Sequence, residues 1–234
     1  MSKLNISSHS SFKYLYAPAS LFVTILVISN IASSAKIVDL GIAIFSIPLI
    51  FDGGTLLFPL VYVLGDVLTE VYGFRTAKRV IWTGFAGMAL AVLVFFLLGL
   101  LPPEASWEKE TGGSAAYNAI LGGISYGGIV LASLAAYLAG ELSNALMLSK
   151  IKVLMKGRML WVRTISSTLA GELLDTVIFV LIATLFGVFA WEIFLSLVLT
   201  NYILKCLIEI MMTPFTYWAC RFLKRKEGID VYDK

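Results

Sequence analysis

The sequence predicts an all-α integral membrane protein with six transmembrane helices and a short re-entrant or interfacial hairpin between the first and second. Three observations carry this. First, of 234 residues 59% are hydrophobic and only 14% charged, against roughly 45–50% and about 25% in a soluble domain. The mean hydropathy is +0.89, and that much apolar surface aggregates in water, which excludes a soluble enzyme domain. Second, six apolar runs approach or exceed the roughly 20 residues needed to cross about 30 Å of hydrocarbon. They leave no room for a separate nucleotide-binding or catalytic domain. Third, the Lys and Arg clusters fall on one side of such a bundle.

Taken in order, the runs are residues 17–35, 54–72, 80–101, 125–148, 164–189 and 193–222. The apolar stretch 37–51 is too short to cross and is broken by Asp39, Gly41 and Pro48, which predicts the hairpin. The first run is longer than the apolar core of a cleaved signal peptide and carries Asn30 and, just beyond it, Lys36, so it reads as a retained helix. The organisation predicted is a cytoplasmic tail over 1–16, a transmembrane domain over 17–222 and a cytoplasmic tail over 223–234. Residues 102–123 read as an outer loop, and the Gly-rich stretch 112–128 as that loop running into the fourth helix.

Charge placement tests the count independently of hydropathy. Arg75, Lys78 and Arg79 follow the second run; Lys150, Lys152, Lys156, Arg158 and Arg163 lie between the fourth and fifth; Arg221, Lys224, Arg225 and Lys226 follow the sixth. The opposite connections hold Lys36 and Lys109 as their only basic residues, and residues 102–123 carry Glu104, Glu108 and Glu110. Positive charge marks the cytoplasmic side, so the count is even and both termini are cytoplasmic. Cys206 and Cys220 would sit about 21 Å apart on one helix, too far for a disulfide. His9, the lone histidine, lies in the tail. Neither a metal site nor a resident cofactor is expected, and no P-loop pattern occurs.

Ionisable residues at bilayer depth cost roughly 2.5–3.5 kcal/mol each, so several at helical spacing imply a shared polar interior. The second run places Phe58, Tyr62, Asp66 and Glu70 on one face, each four residues after the last. Tyr137, Glu141 and Asn144 share a face of the fourth, and Thr168, Glu172, Asp175 and Phe179 one of the fifth. Asn201, Lys205, Glu209, Thr213 and Tyr217 line the sixth, where Lys205 and Glu209 are spaced for an intrahelical ion pair. Arg75 and Arg163 stand at the cytoplasmic ends as gating or ion-pair residues, with Glu70 close enough in sequence to cap toward Arg75. The third run lacks ionisable residues and reads as lipid-facing. The interior is acid-rich, suiting a donor-rich or cationic planar ligand, held in a polar cavity with flat aromatic walls. An enzyme would show metal ligands or a nucleophile beside a base, and none is evident.

Four blocks, FDGGTLLFPLVYVLGDVLTEVYGFR (51–75), GELSNALMLSK (140–150), RTISSTLAGELLDTVIF (163–179) and TNYILKCLIEIMMTP (200–214), together resemble the queuosine precursor transporter family, also described as vitamin uptake transporters. The resemblance implies a six-helix protein of the bacterial cytoplasmic (inner) membrane. It implies import of 7-deazaguanine bases, 7-cyano- or 7-aminomethyl-7-deazaguanine, for tRNA queuosine, or of another vitamin or purine-like base on the same fold. Carried over by position, the substrate-binding set is Tyr62, Asp66, Glu70, Glu141, Asn144, Glu172, Asp175, Phe179, Asn201, Lys205 and Glu209, to which the first run adds Asn30 as a polar residue within its apolar stretch. A carboxylate, Glu70, Glu172 or Asp175, would read the N1–H and 2-amino edge of the base, and Tyr62 or Phe179 would stack on it. The partners implied are the small-molecule base and the lipid bilayer, with no direct nucleic acid contact, and a homodimer or an unidentified partner subunit.

Overall fold

The structure, a computed structural model, describes residues 12–44, 47–125 and 128–233. His9 and most of the predicted N-terminal tail lie outside these. Helix α1 (Tyr16–Ala35) opens the chain, burying Phe22, Leu26, Ser29 and Asn30. Residues 37–52 then form an antiparallel strand pair, β1 (Ile37–Ile44) and β2 (Ile47–Asp52), with Ile37 opposite Asp52 and Val38 opposite Phe51. The short connection expected between the first two runs is thus a β-hairpin. Its Ile- and Val-rich composition favours strand, and Gly41 supplies a positive φ of 67° at an irregularity in the register.

After a 3-10 turn (Gly53–Leu56) comes helix α2 (Phe58–Tyr72), only 15 residues long and so about 22 Å. From Pro59 to Tyr72 every residue except Leu60 and Leu64 is buried. Helices α1 (above), α3 (Phe74–Gly99), α6 (Gly128–Leu154) and α8 (Phe194–Glu227) enclose it. That sheath allows a helix bearing Asp66 and Glu70 to exist in this chain at all, since neither carboxylate meets lipid. Among the described residues, five helices are long and apolar enough to cross a membrane: α1, α3, α6, α7 (Leu160–Leu185) and α8. The family of apolar helices makes this a multi-pass membrane protein, with α2 as a short buried strut among them.

Gly73 turns the chain from α2 into α3 at φ 83°, a conformation only glycine adopts without strain. Helix α3 buries Ala77, Ile81 and Gly84 and exposes Leu90, Leu93 and Leu97, the lipid-facing role its sequence predicted. The predicted outer loop is instead two short helices, α4 (Ala105–Thr111) and α5 (Gly113–Ser125). Glu104 caps α4 by accepting from the Trp107 amide at 2.7 Å, and α5 packs on α1 and α3.

The most extensive packing is between α6 and α7, and two glycines permit it. A Cβ on Gly171 would lie 3.0 Å from the Gly140 carbonyl oxygen and 2.8 Å from the Asn144 Cβ, backbone and root atoms that cannot swing aside. Gly171→Leu is expected to destabilise the protein by about 1–3 kcal/mol through overpacking, read as a lowered thermal midpoint in detergent. An unchanged midpoint would show that this crossing tolerates separation.

The two described chain ends meet. The backbone N–H groups of Lys13 and Tyr14 donate to the Glu227 carboxylate at 3.1 and 2.6 Å. The α2–α3 junction, the α6–α7 junction and the end of α8 share this end of the bundle, linked by the contacts of Glu70, Lys152, Arg163 and Lys224 described below.

Candidate functional site

Two clusters of charge divide the interior along α2. The first is built on Lys205, in the middle of α8. Its ammonium is 2.5 Å from Asp175 Oδ2 and 3.3 Å from Glu172 Oε2, both on α7, and 4.9 Å from the centre of the Phe58 ring. Lys205, Asp175 and Glu172 are all buried. The Lys205–Glu209 pair expected from sequence does not form: the next helix offers two acids to the ammonium, and the shorter contact wins. Asp175, Phe179, Lys205 and Phe58 border a small cavity with Ser33, Asp52, Thr55 and Ser133.

Asp52 organises the rim on the hairpin side. One of its carboxylate oxygens accepts from the Ser33 hydroxyl and from the Gly54 amide (2.9 Å), the other from Thr55 Oγ1 (2.8 Å). Thr55 Oγ1 lies 3.4 Å from Asn201 Oδ1 on α8. The cavity itself is about 20 Å³, room for roughly one water and far below the roughly 300 Å³ at which small-molecule pockets begin. The polar cavity expected from sequence is therefore narrow in this structure, with Lys205 and Asp175 in contact on its border.

Deeper along α2 lie acceptors with fewer partners. Asp66 accepts from the Asn144 amide at 2.8 Å through one oxygen. Its other oxygen, both oxygens of Glu141 and the Tyr62 hydroxyl have no hydrogen-bond partner among the described residues. Tyr62 and Glu141 pack into the notches left by Gly140 and Gly65 respectively. Buried polar atoms are nearly always satisfied, so this tract demands protons, water or a donor-rich ligand.

The second cluster is built on Glu70, near the C-terminal end of α2 and about 18 Å from Phe58 along its axis. Arg163 grips it with two nitrogens, at 2.5 and 3.2 Å, the fork geometry that makes Arg–carboxylate pairs strong. Lys224 lies 2.6 Å from it and Lys152 3.7 Å. Lys152 also donates to the Glu70 carbonyl oxygen (2.7 Å), Asp230 (2.7 Å) and the Val231 carbonyl oxygen (2.6 Å). Residues 228–233 thus form a strap across this end. Asp233 accepts from the Phe74 amide at 2.7 Å and the Ser149 hydroxyl at 2.8 Å, and the Tyr232 ring sits 4.5 Å from the Lys152 ammonium.

The strap carries a pH dependence. Partial burial pushes the Asp230 carboxyl up, but donation from Lys152 and Lys224 outweighs it and holds the group below its ordinary 3.8. A carboxyl lowered in the folded state contributes fully above 3.8 and loses that contribution as pH falls through the lowered value. Asp230→Asn is expected to loosen the strap even at neutral pH. Its side chain is 43% exposed, so the pair is screened, and amide exchange over 229–233 should rise only about two- to fivefold. Unchanged exchange would show that Asp233 alone holds the segment.

The structure thus gathers Glu172, Asp175, Phe179, Asn201 and Lys205 at or beside the small cavity, and Tyr62, Asp66, Glu141 and Asn144 in the tract behind it. Glu209 is buried, with one carboxylate oxygen lacking a partner among the described residues. Asn30 instead donates back to the Leu26 carbonyl oxygen of its own helix at 2.9 Å. Arg75 is exposed and makes no ion pair with Glu70; Arg163, from a helix far along the chain, takes that place. Sequence reasoning did not single out Asp52, Ser33 or Thr55 as site residues, although the FDGGT start of the first block contains two of them. It also placed Lys152 and Lys224 only as surface charges, whereas Lys152 is 2% exposed.

Residues 52–219 match the family model described as "Putative vitamin uptake transporter". A Bacillus subtilis (strain 168) protein named "Probable queuosine precursor transporter" is 28% identical over 177 residues, 74% of this chain and 73% of that one. An Escherichia coli (strain K12) protein named "Queuosine precursor transporter" is 27% identical over 183 residues, 77% of this chain and 76% of that one. No solved structure matches the chain. The matched span begins at Asp52 and takes in both charge clusters except Lys224 and the strap.

Proposed function

The chain belongs to the vitamin uptake transporter family, whose curated relatives are queuosine precursor transporters, and from that premise we propose that it imports 7-cyano- or 7-aminomethyl-7-deazaguanine into the bacterial cytoplasm for tRNA queuosine. In this reading six helices cross the inner membrane, α2 being the sheathed sixth, and both chain ends lie in the cytoplasm beside the basic clusters.

The observation that carries the reading is the convergence of Lys205, Asp175 and Glu172 next to Phe58 and Phe179. A deazaguanine edge presents N1–H and 2-amino donors side by side, which one carboxylate accepts together. Asp175 and Glu172 supply that acceptor; Glu70, already held by three cations, does not. Lys205, released from one acid, donates to the ring carbonyl. Phe58 and Phe179 give the faces between which the flat ring lies. The remaining acid of the pair meets an aminomethyl cation.

The narrowness of the cavity makes this a closed state, so loading requires α7 and α8 to part, exchanging the Lys205–Asp175 contact for contacts to the base. The Glu70 cluster seals the cytoplasmic end meanwhile, and release inward requires that seal to loosen, an alternation of access between two ends.

The test is restoration of queuosine in tRNA, with labelled precursor uptake, in cells lacking their own synthesis and uptake. Restored uptake that excess unlabelled 7-deazaguanine suppresses supports the proposal. No uptake from a protein correctly present in the membrane overturns it, and suppression by unrelated vitamins but not by deazaguanines would give the fold another cargo.

A further inference from the structure

Beside the Glu70 seal, the end of α8 and the start of α7 enclose an open cleft of about 370 Å³. Its floor is the Glu70–Arg163–Lys224 cluster, one carboxylate between two cations, with Lys224 also meeting Asp230 at 2.7 Å. Its walls carry Arg221 and Arg225, one turn apart on α8. Both are exposed, and neither meets a carboxylate among the described residues. The lining therefore holds four cationic side chains against one carboxylate.

A second observation fixes the depth of this cleft. The Trp161 amide donates to the Tyr217 hydroxyl at 2.8 Å across the mouth, with Trp161 50% exposed. On the other side of the two arginines, Trp218 and Phe222 stack with ring centres 5.7 Å apart and planes within 14°, and both are exposed. Trp and Tyr concentrate where hydrocarbon meets headgroups. A neighbouring depression of about 300 Å³ is bordered by those stacked rings and shares Arg221 and Arg225 with the cleft. The arginines thus stand between a polar recess on one side and a flat aromatic ledge on the other, where the Lys226 ammonium lies 5.9 Å from the centre of the Phe222 ring.

We propose that this is a binding site for one anionic phospholipid. The headgroup phosphate is held by Arg221 and Arg225 in charge-assisted hydrogen bonds, and the acyl chains run along the Trp218–Phe222 ledge. A free phosphate would find the same arginines but would gain nothing from the ledge, and a zwitterionic lipid would bring its own cation to a recess that already has a surplus. Basic recesses of this kind at the cytoplasmic ends of membrane helices are where acidic headgroups lodge. The inference rests on the proposed orientation, which puts this end of the bundle at the cytoplasmic headgroups, and is independent of the cargo.

The experiment is native mass spectrometry and thermal unfolding of the full-length protein exchanged into phosphatidylcholine with and without phosphatidylglycerol. Wild type is expected to retain phosphatidylglycerol over phosphatidylcholine and to unfold at higher temperature with it. The double variant Arg221→Gln/Arg225→Gln should lose about twenty-fivefold of that preference, about fivefold for each arginine. Lys78→Gln/Arg79→Gln, which removes two exposed charges from α3, should keep it. The proposal is overturned if wild type shows no preference or if the α8 variant keeps it. It is equally overturned if the α3 variant loses it to the same degree, making the effect one of overall charge. Glycerol phosphate at millimolar concentration should protect neither form; protection of wild type equal to that of the lipid would assign the cleft to a soluble phosphate and overturn the lipid site.

Discussion

Lys205→Ala is expected to lower precursor uptake about a hundredfold or more, equivalent to about 3 kcal/mol, at equal abundance in the membrane. The ammonium is the single cation between Asp175 and Glu172, so truncating it leaves two buried acids facing one another. Removing one member of a buried, hydrogen-bonded charge pair costs about 2–5 kcal/mol, much of it from the charge left behind. Lys205→Arg keeps the charge but must fit a larger planar group where only about 20 Å³ is open. It is expected to insert normally and transport poorly. Initial rates of labelled uptake decide the matter: a Lys205→Ala protein within threefold of wild type would remove this side chain from the path of the base.

Glu70→Ala carries the largest expected effect on stability. Arg163 is 1% exposed and has Glu70 as its carboxylate partner, and Lys224 and Lys152 converge on the same group. Taking away Glu70 leaves Arg163 buried without a carboxylate, while Lys152 and Lys224 keep only the half-exposed Asp230, a loss of about 3–5 kcal/mol. It should be read as aggregation or proteolysis of the detergent-extracted protein. Glu70→Gln retains hydrogen-bond acceptance by the amide oxygen without the charge and should fall between. If Glu70→Ala survives extraction like wild type, the cluster is not what closes this end.

Both predictions turn on partner choice, the feature least legible beforehand. Helical spacing was enough to put Asp66 and Glu70 on one face of α2, and Glu172 and Asp175 together on α7, because that geometry is local. Which charge meets which is decided by how neighbouring helices slide and rotate against each other. Proximity in sequence therefore pointed to Arg75 for Glu70 and to Glu209 for Lys205, while the packed bundle supplies Arg163 and Asp175. The hairpin was legible but its strand conformation was not, for a different reason: a stretch too short to cross and broken by Gly41 and Pro48 reads as irregular until its β-branched residues are given weight. The openness of the site was beyond sequence altogether, since spacing shows that polar groups converge but not whether they close on each other.

The Glu70 cluster also sets a schedule for biosynthesis. Glu70 leaves the ribosome 93 residues before Arg163 and 154 before Lys224. At translation rates of about 5–20 residues per second, the last of its counter-charges follows Glu70 by roughly 8 to 30 s. Until then Glu70 has Lys152 and Arg163 to meet but not Lys224. A nascent chain truncated before the final helix thus has Lys152 and Arg163 but lacks Lys224 and Asp230, so this end of the bundle is the last part of the molecule to be completed.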